Sequence, residues 1–301
     1  MGQPLDNQTA TFYGQFVQAA YAMFETPNST NPLRPEPSGI PATYELGAWI
    51  HMSDFILGDI EPKFYGIVAH NLDNPDSRII AIRGTEGLAE WLDDAVCQLV
   101  PFSQVPAAGL VAKGFDQIYS SMKVVKYTPP AKRTALTASA PETYAGSFAE
   151  QLEQLAISRE AERGVEPRLA EGRGRVQRPT VVTGHSLGSA LATLFVLEND
   201  CKGKFDISRL CTFASPKVGN LEFVDRFNQL PITSWRLVNT KDVVPDIPLH
   251  LPFLFPYDHV DTEYSFNSSG SAKNNPVCWH SMDTYLHWLD PAHQVLPKCA
   301  P

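Results

Sequence analysis

The pentapeptide Gly184-His185-Ser186-Leu187-Gly188 constrains this 301-residue chain more than any other feature. It matches the G-x-S-x-G pattern, in which small residues flank a serine forced into a strained strand-to-helix turn that exposes its hydroxyl. The pattern alone is a weak signal, since about one unrelated chain in ten of this length carries it by chance at ordinary Gly and Ser frequencies. Its surroundings raise its weight. The β-branched run Thr180-Val181-Val182-Thr183 precedes it and reads as a strand. The small residues Ser189-Ala190-Leu191-Ala192-Thr193 follow it and read as a helix slim enough to pack close to that strand.

The rest of the chain fits an α/β class built on a central, mostly parallel sheet flanked by helices. Thr9–Phe24 places Phe12, Phe16, Ala19, Ala20 and Met23 at helical spacing, and Pro27 with the proline-rich stretch through Pro41 ends that helix. Tyr65–His70 and Ile79–Ile82 read as two short strands joined by a turn, an antiparallel hairpin. After Thr180 the expected elements are the helix Leu187–Leu197, strand Leu210–Phe213, helix Glu222–Phe227, strand Ser234–Val238 and helix Ser281–Leu289. Between Lys123 and Pro179 the composition turns polar, with Tyr-Thr-Pro-Pro at one end and the Gly/Arg-rich Glu171–Gln177 at the other. That stretch reads as an inserted surface excursion, with a solvated helix over Ser147–Arg163, inside one domain spanning 1–301.

Composition removes several classes. Apolar residues are 43% and charged ones 19% of the chain, which suits a globular core. The 24 basic residues against 33 acidic ones leave a formal charge of −9, which repels phosphate backbones and argues against nucleic acid as a partner. No run approaches the roughly 20 apolar residues needed to cross a bilayer. The opening twelve residues are polar and read as no targeting segment, so the compartment stays open: secreted if a leader has been removed, cytoplasmic otherwise. The five cysteines show no C-x-x-C spacing, which argues against structural zinc; Cys278 and Cys299 bracket the C-terminal segment as either a clasp or two free thiols.

A serine hydroxyl needs an imidazole to take its proton and a carboxylate to fix that imidazole's tautomer, and this architecture orders them Ser, acid, His. Downstream of Ser186 stand His250, His259, His280, His287 and His293, with Asp242 and Asp246 among the candidate acids. Asp242 falls just after the expected strand Ser234–Val238, at the loop end where such sheets present functional groups. His280 precedes the final helix, where a loop can return it to the elbow. His287 shares that helix's face and reads as a packing or surface residue.

Five segments then resemble the class 3 lipase family, the fungal-type triacylglycerol lipases and their bacterial and plant relatives. They are Ala81-Ile82-Arg83-Gly84-Thr85, Lys113-Gly114-Phe115, Thr183–Gly188, Thr212–Asn220 and Arg236–Pro245. The resemblance runs from about Tyr65 to Leu289, interrupted by Lys123–Pro179, and implies the α/β-hydrolase fold with a lid segment. It also implies that Asp242, before Val-Val-Pro, is the triad acid, and that His280, opening His-Ser-Met-Asp-Thr-Tyr-Leu, is the base. His259, in Tyr257-Asp258-His259-Val260, matches a histidine without a catalytic role. Thr85 matches one oxyanion donor, through its N–H and hydroxyl, and the N–H of Leu187 the other; Asp94 matches an aspartate that holds the oxyanion hydroxyl. Glu86–Asp94 corresponds to the mobile lid, with Trp91 at the position of its tryptophan. Val244, Ile247 and Pro248 match positions lining the acyl groove, extended by the apolar run Leu249–Pro256. Two departures stand out: Ser189 where a second glycine is usual, and Ala112 where a histidine is common. The implied activity is ester hydrolysis through an acyl-enzyme, on acylglycerols first, with phospholipase A1 and feruloyl-type esterase chemistry as alternatives inside the family. No metal or cofactor is called for. A catalytically silent binding protein on the same fold is the alternative outside the enzyme class, and the three filled triad positions argue against it. Oligomeric state stays open.

Overall fold

Residues Tyr44–Met52, Lys63–Asn71 and Arg78–Ile82 form strands β1, β2 and β3 of an antiparallel meander, with Val68 opposite Ile80 in the expected hairpin. The computed structural model describes residues 4–25, 32–53, 61–85, 97–133, 142–166, 178–248 and 256–301. Next in chain order are β4 (Leu99–Pro101), β5 (Leu110–Ala112), β6 (Lys123–Lys126), β7 (Pro179–His185), β8 (Asp206–Phe213), β9 (Gly219–Asn220), β10 (Thr233–Asn239), β11 (Tyr257–Asp258) and β12 (Glu263–Phe266). Eight of them make one sheet, ordered β12-β10-β8-β7-β3-β2-β1-β6. From β3 through β12 the pairings are parallel, and β2, β1 and β6 add an antiparallel edge. The short strands β11, β9, β5 and β4 form a second sheet.

Period-two alternation sends each strand's side chains to both faces of the large sheet. On β3, Ile79 and Ala81 join one apolar cluster while Ile80 and Ile82 join the other. Helix α1 (Asn7–Glu25) covers the first face, burying Phe16, Val17, Ala19, Ala20 and Met23. Each large apolar side chain buried this way stabilises the fold by roughly 1.5–3 kcal/mol. The opposite face is covered by α2 (Lys113–Ser121), α3 (Phe148–Glu162) and α4 (Leu187–Lys202). Helix α5 (Leu221–Asn228) adds Phe223, Val224 and Phe227 to that cluster. The four-residue α6 (Pro276–Trp279) leads into α7 (Met282–Leu289), which packs beside α1. A disulfide joins Cys278 to Cys299, so of the two alternatives open in the sequence the clasp is the one formed.

The stretch 123–179 differs from its expected surface course in two places. Strand β6 completes the edge of the large sheet, with Val125 opposite Trp49. Helix α3 is not solvated: Phe148, Ala149, Leu152, Leu155 and Ala156 lie in the main core. They fall at i, i+1, i+4, i+7 and i+8, a helical stripe that the Glu- and Arg-rich composition hides. A capping box between Ser147 and Glu150 starts the helix, and the buried Glu160 pairs with Arg178 at 3.1 Å near its end. The Gly/Arg-rich part and the corresponding lid segment Glu86–Asp94 lie outside the described residues, as do residues 249–255 of the apolar run.

Candidate active site

Strand β7 runs into the elbow and α4 leaves it. Ser186 between them has φ 56° and ψ −126°, a left-handed conformation costing about 1–3 kcal/mol in a non-glycine residue. Its N–H donates to Phe213 O at 2.9 Å, and its hydroxyl caps nothing in the helix it starts. A Cβ on Gly188 would strike the Ile82 carbonyl oxygen, so only glycine lets α4 approach β3 this closely. Ser189, the departure noted in the sequence, ties the turn together: its Oγ donates to Gly184 O at 2.8 Å, with Phe213 O at 2.9 Å.

The loop Arg83–Thr85 at the end of β3 lies against this elbow. A Cβ built on Gly84 would sit 2.7 Å from Ser186 Cβ and 2.7 Å from Tyr21 Oη, so any side chain there would push the loop off Ser186. Arg83 is buried and anchors the loop, its guanidinium donating to Phe64 O and to Gly84 O and stacking 3.5 Å over Phe24. Thr85 is buried at the tip, and Leu187 is the buried first residue of α4, where backbone N–H groups have no helical partner.

His280 and Asp242 come together from the loops after α6 and β10. His280 Nδ1 lies 2.7 Å from Asp242 Oδ2, and both residues are buried. A carboxylate only accepts, so Nδ1 carries a proton, and in the neutral tautomer this selects the lone pair is on Nε2. Nε2 is buried and has no hydrogen-bond partner among the described residues. The Asp242 carboxylate is held on both oxygens: Val244 N donates to Oδ1 at 3.0 Å, and Tyr285 Oη donates to Oδ2 at 2.8 Å. Tyr285 in turn accepts from Asn239 N at 3.1 Å, while burial and the adjacent Asp242 keep its phenol protonated. Tyr285→Phe is therefore expected to cut turnover about tenfold and to destabilise the fold by about 1–3 kcal/mol, since Asn239 N loses a buried partner. Steady-state kinetics and thermal melts of the pair check this; unchanged turnover would leave Tyr285 a purely structural role.

The other histidines sit elsewhere. His259 Nε2 meets Pro245 O at 2.7 Å, and burial, then Arg236, pushes its pKa down to about 3. His287 Nδ1 meets His293 O at 2.7 Å. Ile247 packs partly buried against the main core, and Pro248 is buried beside it. Trp91 and Asp94 fall outside the described residues. Three participants had no role in the sequence reading: Tyr21, Tyr285 and His185. Among the described residues, no group of three or more His, Cys, Asp or Glu side chains is placed to hold a metal, and no helix is long and apolar enough to cross a membrane.

The α/β-hydrolase fold and this elbow define a class, and comparison with known proteins gives the family. Residues 79–251 match Lipase (class 3), and the chain belongs to that family. Phospholipase A1-II 1 of Oryza sativa subsp. indica is 28% identical over 222 residues, covering 69% of this chain and 49% of that protein. The chain thus spans about half the length of the curated relatives it matches. Among solved structures, Lip2 lipase from Yarrowia lipolytica aligns with a TM-score of 0.55 at 18% identity, covering 88% of this chain and 81% of that one. The Rhizomucor miehei lipase propeptide complex aligns at 0.53 and 20% identity, covering 87% and 69%. At these identities the likeness is one of fold.

Proposed function

We propose that the chain is a serine ester hydrolase that cleaves carboxylic esters of lipids, acylglycerols first, through Ser186, His280 and Asp242. The observation that carries this reading is the buried His280–Asp242 pair, whose Nε2 has no partner among the described residues, tied through the His280 carbonyl to His185, the residue before a serine held in a strained turn. His280 Nε2 takes the Ser186 proton as Oγ attacks the ester carbonyl, and Asp242 stabilises the imidazolium that forms. The N–H and hydroxyl of Thr85 and the N–H of Leu187 receive the oxyanion; losing one such donor typically costs about 3–4 kcal/mol of barrier. The imidazolium then protonates the leaving alkoxide, and water repeats the sequence to free the acid. Each step moves protons among side chains, substrate and water, so the mechanism calls on no metal or cofactor. Trp91, Val244, Ile247 and Pro248 are the proposed acyl contacts, with Glu86–Asp94 as the proposed lid.

A second reading, phospholipase A1, is favoured by the rice relatives, which are phospholipases A1 by name. A panel of p-nitrophenyl esters from acetate to palmitate, an emulsified medium-chain triglyceride, a phosphatidylcholine and a feruloyl ester separates them. The expected result is release of fatty acid from the triglyceride that rises faster than proportionally once droplets form. Turnover confined to the sn-1 ester of the phospholipid would replace the first reading with the second. No hydrolysis of any ester would sink both.

A further inference from the structure

Three hydrogen bonds join four parts of the chain that meet around Ser186. Gly84 N–H donates to Tyr21 Oη at 2.8 Å. Tyr21 Oη and His185 Nδ1 are 2.8 Å apart. His185 Nε2 lies 2.8 Å from the His280 carbonyl oxygen. The directions are fixed by chemistry. A carbonyl only accepts, so the His185 proton is on Nε2. The ring is wholly buried, and burial, then the neighbouring His280 ring, hold its pKa well below the usual imidazole value. His185 is therefore neutral with a bare Nδ1, which must accept from the Tyr21 hydroxyl, leaving that oxygen's lone pairs to receive Gly84 N–H. One chain of donors thus runs from the residue before Thr85, through α1, to the residue before Ser186, and on to the main chain of the base.

We infer that Tyr21 and His185 are positioning residues that lock the oxyanion loop to the base loop across the nucleophile. The inference rests on the proposed triad. Its physical basis is the close approach of the loop: the Gly84 Cβ position is 2.7 Å from both Ser186 Cβ and Tyr21 Oη, so the Tyr21 hydroxyl fixes how near Thr85 stands to the serine. Oxyanion donors act only when held where charge develops, and small displacements cost rate out of proportion to their size. Without the hydroxyl, Gly84 N–H and His185 Nδ1, both on buried residues, each lose a partner. His185 is then free to change tautomer and release the His280 carbonyl.

The test is Tyr21→Phe, with every rate expressed per active site titrated by a fluorophosphonate. Expected is a fall in kcat of about 10–100-fold with KM within about twofold, because the loss falls on the transition state. The inhibition constant of an alkyl trifluoromethyl ketone, whose adduct with Ser186 places an oxyanion in the same hole, should rise by a similar factor. Tyr13→Phe removes a hydroxyl from the same helix, one that accepts from Arg209 at 3.3 Å away from the site, and should leave both constants unchanged. His185→Gln keeps a donor for the His280 carbonyl and should retain more kcat than His185→Leu, which serves as the second measurement if Tyr21→Phe folds poorly. A Tyr21→Phe protein with a lowered melting temperature but wild-type kcat and ketone inhibition per titrated site overturns the inference. Equal loss in the Gln and Leu variants does so too. A wild-type protein that neither labels at Ser186 nor hydrolyses esters overturns the functional reading instead, and the inference with it.

Discussion

Ser186→Ala is expected to leave less than about a thousandth of wild-type ester hydrolysis, because triad members normally contribute far more than that factor. The fold should stand almost unchanged. The Ser186 hydroxyl caps no helix, and the backbone N–H that donates to Phe213 O remains in alanine. Only one oxygen is removed, so almost no cavity forms, and the strained φ of 56° is kept by either residue. The measurements are turnover of a soluble p-nitrophenyl ester and a thermal melt of both proteins. Residual activity above that thousandth, with the melt superimposed, would place the nucleophile elsewhere. A melt lowered by many degrees would mean the serine had a structural role the geometry does not show.

What made Ser186 legible in the sequence was the space around it. Gly188 abuts the Ile82 carbonyl and Gly84 abuts Ser186 itself, so the turn restricts which residues can stand there and leaves a readable motif. That Asp242 and His280 come together was legible from chain order and from their places after a strand and before a helix, with the family resemblance agreeing. Tyr21 and Tyr285 were not. They reach the site through hydrogen bonds spanning 164 and 43 residues of sequence, and neither lies in a pattern that forecasts a partner. Strand β1 escaped for another reason: from Leu46 to Met52 it is buried on both faces, so no polar alternation marks it. Helix α3 itself was expected, but its burial escaped because the apolar stripe is embedded among charges, so its composition reads as solvated while its spacing reads as packed.

The choice of base carries the second large expected effect. His280→Ala should lower kcat by about a thousandfold or more with a much smaller effect on melting temperature: Nε2 has no partner to lose among the described residues, and the one hydrogen bond lost is that from Nδ1 to Asp242. Asp242 keeps Tyr285 Oη and Val244 N, and the alanine keeps the carbonyl that His185 holds. His259→Ala should do the reverse. With its pKa pushed down to about 3, His259 stays neutral through the neutral range and cannot cycle as a base there. Its ring nitrogen holds Pro245 O, three residues after the acid, so the loss should cost about 1–3 kcal/mol of stability with turnover reduced far less than in His280→Ala. His287→Ala, which removes a contact to the His293 carbonyl rather than to Asp242 or its loop, should disturb turnover least of the three. Parallel kcat and melting measurements on the three variants decide the matter. If His259→Ala were the dead protein and His280→Ala stayed active, the 2.7 Å pair between His280 and Asp242 would be a structural contact and the proposed triad would be wrong.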